Sequence, residues 1–117
     1  MKNIEANEPF YLISQAAKLL GITSDRLRTY EEEGLIKPYR TKHSIDGKRL
    51  FSKNDIEWLM IIRDLIKLGV TIPAIRVLLV SKIADNSFIL KEKDSEIINL
   101  IKKLQRHSGY QTLKTKD

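Results

Sequence analysis

The sequence contains no cysteine and only two histidines among its 117 residues. The missing thiols exclude a disulfide framework and every metal, redox or nucleophile chemistry that needs a thiolate. Two histidines, His43 and His107, are too few to suggest a dedicated metal site. The longest apolar runs fall far short of the roughly 20 residues that cross a bilayer, and the first ten residues lack the apolar core of a signal peptide. We therefore expect a cytoplasmic protein that uses no cofactor, metal or membrane.

Positive charge is plentiful but unevenly distributed. The formal net charge is +6, and hydrophobic residues make up 42% of the chain, enough to bury the core of one domain. Between Gly34 and Lys53 there are six basic residues and one acidic residue, directly after the three glutamates 31–33. A basic surface of this kind favours a polyanion, most commonly nucleic acid. The alternative is a solvated charged loop.

Two short helices are predicted near the start of the chain. Apolar residues at helical spacing follow Ser14, a good N-cap, and Gly21 ends this first helix, which we place at 15–20. After a tight link, Thr23 can cap a second helix at 24–33, which ends before Gly34. Two short helices joined by a glycine-containing turn are typical of a helix-turn-helix.

A small β hairpin is predicted next. The segments LIKPYR and RLFS read as two short extended pieces separated by a turn at Asp46-Gly47. Such a basic projection directly after a helix-turn-helix is typical of a wing that lies against the DNA backbone. Tyr39 and Phe51 are expected to anchor this wing to the core.

The rest of the chain is predicted to be helical. Ser52 and Asp55 resemble a capping box in front of a buried central helix, and Thr71 caps a fourth helix that tolerates Pro73 in its first turn. Apolar residues repeat at a period close to 3.5 residues near the C-terminus and predict a helix there. We interpret this helix as a dimer contact; the alternative is that it folds back onto its own core. The predicted dimer residues are Leu90, Ile97, Ile101 and Leu104. The expected organisation is an N-terminal arm at 1–10, the DNA-binding domain at 11–80, a connector at 81–89, the dimer helix at 90–107 and a mobile tail at 108–117.

The second helix has the surface that a major groove requires. With Leu27 pointing to the core, the 100° step per residue places Asp25, Thr29 and Glu32 opposite, and Arg26 and Arg28 on the two flanks. Flanking arginines can bind both phosphate backbones while short polar side chains meet the base edges. Tyr30 lies near the core boundary, from which its hydroxyl could reach a phosphate. The alternative is that Arg26 and Arg28 only pair with the nearby glutamates 31–33.

These residues resemble a known family. The motifs are Leu-Arg-x-Tyr-Glu from Leu27, Gly-Leu-Ile from Gly34, Pro-x-Arg from Pro38, Arg-x-aromatic from Arg49 and Leu-Gly-Val from Leu68, and together they resemble the DNA-binding domain of MerR-type transcription regulators. The resemblance covers 11–79 and implies a mainly α fold with a small β hairpin, a winged helix-turn-helix that reads an inverted repeat as a homodimer. The expected DNA-binding residues are Ser24, Arg26, Arg28, Thr29, Tyr30, Arg40, Lys42, Lys48 and Arg49.

Within this family the sequence looks most similar to the heat-shock repressor branch, with the glutamine-metabolism repressors next. The resemblance implies a bacterial, nucleoid-associated repressor in a stress response, regulated through a partner protein such as a chaperone. The wing looks longer than usual and the dimer helix shorter, which leaves the wing-tip contacts and the dimer geometry open.

Two other functions compete with this interpretation. An excisionase-like architectural protein would use a similar winged unit to bend DNA, but the stripe of the C-terminal helix argues against it. A helical protein-interaction module would use the basic wing to dock an acidic partner. We do not expect an enzyme, because the sequence lacks a His-carboxylate, Ser-His or glycine-rich phosphate constellation.

Overall fold

A computed structural model of the protein describes residues 5–41, 48–80 and 95–107. The chain divides into two compact units whose boundary falls between Met60 and Ile61, inside the longest helix. In chain order the described elements are β1 (Tyr11–Leu12), α1 (Ile13–Leu20), α2 (Ser24–Glu32), β2 (Tyr39–Arg40), β3 (Arg49–Phe51), α3 (Lys53–Lys67), α4 (Ile72–Val80) and α5 (Ser95–Arg106).

The helix-turn-helix is formed by α1 and α2. Gly21 ends α1 with a φ of 71°, and the hydroxyl oxygen of Thr23 accepts a 3.0 Å hydrogen bond from the Arg26 amide, so both predicted signals are confirmed. The prediction that Ser14 caps α1 was wrong. The helix already begins at Ile13, and the amide of Leu12 in front of it donates to the Gln15 side chain at 2.9 Å.

The wing belongs to a three-stranded antiparallel sheet in the order β1-β3-β2, not to an isolated hairpin. Tyr11 pairs with Phe51 on one side of β3, and Arg40 pairs with Arg49 on the other. The Thr41 amide donates to the Lys48 carbonyl at 3.1 Å, which extends the pairing of the wing. The turn at 42–47, with Lys42 and His43, lies outside the described residues.

Residues before β1 are hydrogen-bonded to the wing and to α3. The Phe10 amide donates to the Phe51 carbonyl at 3.1 Å, and the Asn54 amide donates to the Ala6 carbonyl at 3.0 Å. The predicted capping box is confirmed, since the Asp55 amide donates to the Ser52 hydroxyl at 3.1 Å and the Ser52 amide donates to the Asp55 carboxylate at 2.9 Å. The first turn of α3 therefore has several of its amides bonded.

The core of the first unit forms around α3. Trp58 is fully buried and its indole N–H donates to the Leu35 carbonyl at 2.6 Å. Phe51 is also buried, as expected of a wing anchor, but Tyr39 is 47% exposed. The prediction that Tyr39 anchors the wing was wrong, because its strand turns this ring outward. The buried side chains of this unit include Ala16, Ala17, Leu20, Leu27, Tyr30, Leu35, Ile36, Phe51, Ile56, Trp58 and Leu59.

The second unit contains the end of α3 together with α4 and α5. The Ala74 amide donates to the Thr71 hydroxyl at 3.2 Å, so the predicted cap of α4 is confirmed. On α5, Ile101 and Leu104 are 2% and 0% exposed within a single chain, and Ile97 is half-buried. The interpretation of Ile101 and Leu104 as dimer contacts is therefore corrected, because side chains covered by their own chain cannot also face a second copy. Leu90, the remaining dimer candidate, lies outside the described residues.

Within the described residues, each helix is either too short or too polar to cross a bilayer.

Candidate nucleic-acid interface

The helix α2 turns one apolar face inward and one polar face outward. Leu27 and Tyr30 are each 1% exposed, while Asp25, Arg26, Thr29 and Glu32 are exposed and Ser24 and Arg28 are half-buried. The predicted orientation of the helix is confirmed. The role predicted for Tyr30 was wrong, because a ring buried to this extent packs in the core and cannot present its hydroxyl to a phosphate.

Arg28 is held by a neighbour one turn earlier. Its guanidinium bonds to the Asp25 carboxylate at 2.6 Å, and the Asp25 side chain is 92% exposed. An ion pair this open to water contributes little to stability, typically about 0–1 kcal/mol. A phosphate or a base edge can therefore replace Asp25 at small cost, and Arg28 is available to DNA.

The remaining predicted residues of α2 differ in how they are held. The Thr29 hydroxyl donates to the Asp25 carbonyl at 3.2 Å, while Arg26 forms no ion pair with any other described side chain. These residues share the exposed face of the helix with Arg28, so the structure brings this part of the predicted site together.

One carboxylate joins α2 to both strands of the wing, β2 and β3. Glu31 accepts from Arg40 Nη2 through Oε2 at 2.8 Å and from Arg49 Nε through Oε1 at 2.5 Å. Arg40 and Arg49 are cross-strand partners in the register of β2 and β3. We call these three residues the wing clamp. The clamp places the two wing arginines beside α2.

The electrostatics of the wing clamp favour an ionised Glu31. Partial burial by itself raises the pKa of the Glu31 carboxyl, but the hydrogen bonds from Arg49 and Arg40 and their positive charges outweigh it. The net effect is a pKa below the ordinary value. The group of three residues carries a net charge of +1 at neutral pH, with Arg40 more exposed than Arg49.

Sequence reasoning missed the wing clamp. The three glutamates 31–33 were interpreted as a solvated helix end, and the alternative pairing of Arg26 and Arg28 with them does not occur among the described ion pairs. The one available signal was the change from three acids to a run of bases within a few residues. That signal indicates attraction but does not show which carboxylate meets which guanidinium.

The described residues also bear on the other predicted features. Lys48 is exposed on the wing, as a phosphate contact must be, whereas Lys42 is not described. No group of three or more His, Asp or Glu side chains with the spacing of a metal site occurs among the described residues.

A recognition helix with a basic wing fixed beside it defines a winged helix-turn-helix, a class of DNA-binding protein. The model of the MerR HTH family of regulatory proteins matches residues 11–82 of this chain. The chain belongs to the MerR HTH family and is a DNA-binding transcription regulator.

Individual relatives agree with this assignment. The chain is 34% identical to the HTH-type transcriptional regulator GlnR of Bacillus anthracis over 98 residues, which cover 83% of this chain and 74% of GlnR. It is 40% identical to the regulator AdhR of Bacillus subtilis over 63 residues, covering 54% of this chain and 44% of AdhR. A crystal structure of HiNmlR, a MerR family regulator lacking the sensor domain and bound to promoter DNA, superposes with a TM-score of 0.54 at 25% identity, covering 87% of this chain and 72% of that one.

Proposed function

We propose that this protein represses transcription by binding an inverted repeat in double-stranded DNA as a homodimer. The observation that carries the proposal is the wing clamp, because it fixes both strands of the basic wing to α2. A helix flanked by phosphate-binding groups is the shape that fits a major groove and the backbone beside it. The DNA-bound structure of HiNmlR, a relative at 25% identity, supports the same partner.

We assign different tasks to the predicted DNA-binding residues. Ser24 and Thr29 face the base edges of the groove, Arg26 and Arg28 bind the phosphates on its two sides, and the wing residues Arg40, Lys48 and Arg49 bind the backbone beside it. Tyr30 supports α2 from inside. Lys42 remains a proposed wing-tip contact on the basis of its sequence position.

The dimer of this proposal cannot depend on Ile101 and Leu104, which are buried in one chain. An inverted repeat still requires a two-fold arrangement of recognition helices. Sedimentation of the protein with and without DNA measures that arrangement: two protomers per operator support the homodimer, and a single protomer per site contradicts it.

The branch of the family and the regulatory partner are also proposals. The motifs from Leu27 to Thr41 resemble the heat-shock repressors, with a chaperone as the implied partner, while the similarity to GlnR supports the glutamine-metabolism repressors. Selection of bound fragments from the host genome tests these alternatives, because the neighbouring genes identify the signal. Operators beside chaperone genes favour the first branch, and operators beside nitrogen-assimilation genes favour the second. In either branch we propose no enzymatic activity and a location on the bacterial nucleoid.

Salt dependence tests the binding mode itself. If a dimer neutralises about 6–10 phosphates, the logarithm of affinity falls against the logarithm of salt concentration with a slope on the order of −5 to −9. A slope near zero, or no binding to any duplex at low salt, contradicts the proposed function.

A further inference from the structure

We propose that Glu31 is a specificity-determining positioning residue, which prevents the wing arginines from binding DNA independently of the recognition helix. This inference rests on the proposed DNA-binding function and deepens it. Glu31 touches no DNA in this scheme; it acts through Arg40 and Arg49.

The first step of the argument is geometric. Glu31 lies on α2, next to the fully buried Tyr30, so its backbone is fixed by the core. Each of its carboxylate oxygens accepts from a different arginine, and the two arginines sit opposite each other on β2 and β3. The position of the wing guanidiniums is therefore set relative to the helix that reads the bases.

The second step concerns competition for the guanidinium groups. A phosphate and a carboxylate bind the same N–H groups, and a guanidinium has five of them. Arg49 gives Nε–H to Glu31, and Arg40 gives Nη2. An arginine held in this way can bind a phosphate only where the phosphate meets its remaining N–H groups, which happens when α2 is seated in the groove at the matching register. Without Glu31, the Nε–H of Arg49 is released from this bond and can bind a phosphate on any duplex.

The third step concerns charge. Glu31 remains ionised because its pKa is below the ordinary value, so it lowers the positive potential of the wing at neutral pH. Loss of this charge strengthens binding to any sequence, because non-specific affinity for DNA is mostly electrostatic. The geometric step and the charge step thus predict different effects on DNA binding. The substitutions Glu31→Asp and Glu31→Gln distinguish them.

The experiment compares three variants with the wild-type protein on two duplexes, a genomic fragment selected by the wild type and a scrambled duplex of equal length and composition. Glu31→Gln removes the charge and weakens the clamp. Glu31→Asp keeps the charge but is one methylene too short to hold both arginines. Glu5→Gln, at an exposed position before β1, makes the same charge change outside the wing clamp.

We expect Glu31→Gln to bind the scrambled duplex about three- to tenfold more tightly, with a salt slope steeper by roughly 0.9 for each added phosphate contact. We expect both Glu31 variants to lose about tenfold in the ratio of selected to scrambled affinity, and Glu5→Gln to keep that ratio. Amide hydrogen exchange on the free protein provides a separate measurement, and the amide of Thr41, which bonds to the Lys48 carbonyl, should exchange faster in both Glu31 variants.

Three outcomes overturn the inference. If both Glu31 variants lose affinity for the two duplexes equally and keep the ratio, Glu31 has only a structural role. If Glu5→Gln loses the ratio as well, net charge and not the clamp is responsible. If wing exchange is unchanged in both Glu31 variants, the clamp does not hold the wing. Failure of the wild-type protein to bind either duplex contradicts the proposed function, whereas the exchange experiment still tests the clamp without DNA.

Discussion

The recognition helix α2 and the C-terminal helix α5 carry similar numbers of charged residues but use their side chains in opposite ways. On α2 the exposed face holds groups with weak or replaceable partners, such as Arg28 with the open Asp25, while Glu31 fastens the helix to the wing. On α5 the apolar stripe is buried within one chain at Ile101 and Leu104. The arginines of such an exposed face remain available to a ligand, whereas an apolar stripe indicates only that something covers it.

The largest effect should come from the buried apolar stripe of α5. Replacing Leu104 with Ala leaves a cavity in the second unit and should lower the free energy of unfolding by about 2–5 kcal/mol. Thermal unfolding measures this loss, and the shift should not depend on protein concentration. Val77→Ala, at an exposed position of α4, is the control and should change stability by less than about 0.5 kcal/mol. A variant that instead unfolds normally but dissociates a dimer would return Leu104 to the subunit interface.

The exposed side of the comparison is tested by Arg28→Ala. Because Asp25 is open to water, we expect the fold to be kept, with sequence-specific binding weakened by about 1–3 kcal/mol per protomer. Titration of the selected genomic fragment measures the affinity, and circular dichroism checks the fold. Lys67→Ala removes the same charge from the second unit and should leave specific binding nearly unchanged. Full binding by the Arg28 variant would exclude α2 as the reading element.

Acid should weaken the wing clamp, because protonation removes the charge of Glu31. The pKa of Glu31 is lower in the folded protein than its ordinary value of about 4.3. As the pH falls, Glu31 therefore takes up a proton in the unfolded chain before it does so in the folded chain. The stability that Glu31 contributes is complete above its unfolded-state pKa and is lost as the pH falls through its folded-state pKa. We expect wild type to exceed Glu31→Gln by about 1–2 kcal/mol at pH 7, with the gap closing below about pH 4.3. Unfolding of both proteins over a pH series measures the gap; a constant difference down to pH 2 would contradict the ion pairs.

The smallest effect concerns the start of α2. Thr23→Ala removes the hydroxyl that accepts from the Arg26 amide and should cost about 1 kcal/mol. Ser14→Ala is the matched substitution at the position that sequence reasoning wrongly took for a cap, and it should cost almost nothing. Chemical denaturation of both variants compares them, and equal losses would mean that α1 depends on Ser14 in solution.

The ends of the helices could be predicted from the sequence, because the bonds that form them act within about one helical turn. Gly21, Thr23, Thr71 and the Ser52 box all mark helix ends by bonds to residues three or four positions away, and the structure confirms each. Ser14 is the exception, because the chain offered Gln15 as an alternative partner for the first amides. Local chemistry thus predicted the helices and the order of the fold.

Features that depend on partners far away in the sequence could not be predicted from it. The strand β1 exists because Tyr11 pairs with Phe51, forty residues along the chain. Tyr30 lies at a helical angle compatible with either the core or the surface, and only the packing around it decides. Glu31, Glu32 and Glu33 are chemically equal in the sequence, and the position of two wing strands selects Glu31 for the clamp. These outcomes require the three-dimensional arrangement of residues far apart in sequence.

The single tryptophan of the chain, buried and hydrogen-bonded to Leu35, supplies an intrinsic optical reporter. Its fluorescence should shift to longer wavelength only when the unit around it opens, since an indole in water emits to the red of a shielded one. A variant that no longer binds DNA but keeps the blue-shifted emission of Trp58 has a folded core. Fluorescence of the unlabelled protein therefore distinguishes loss of DNA binding from unfolding.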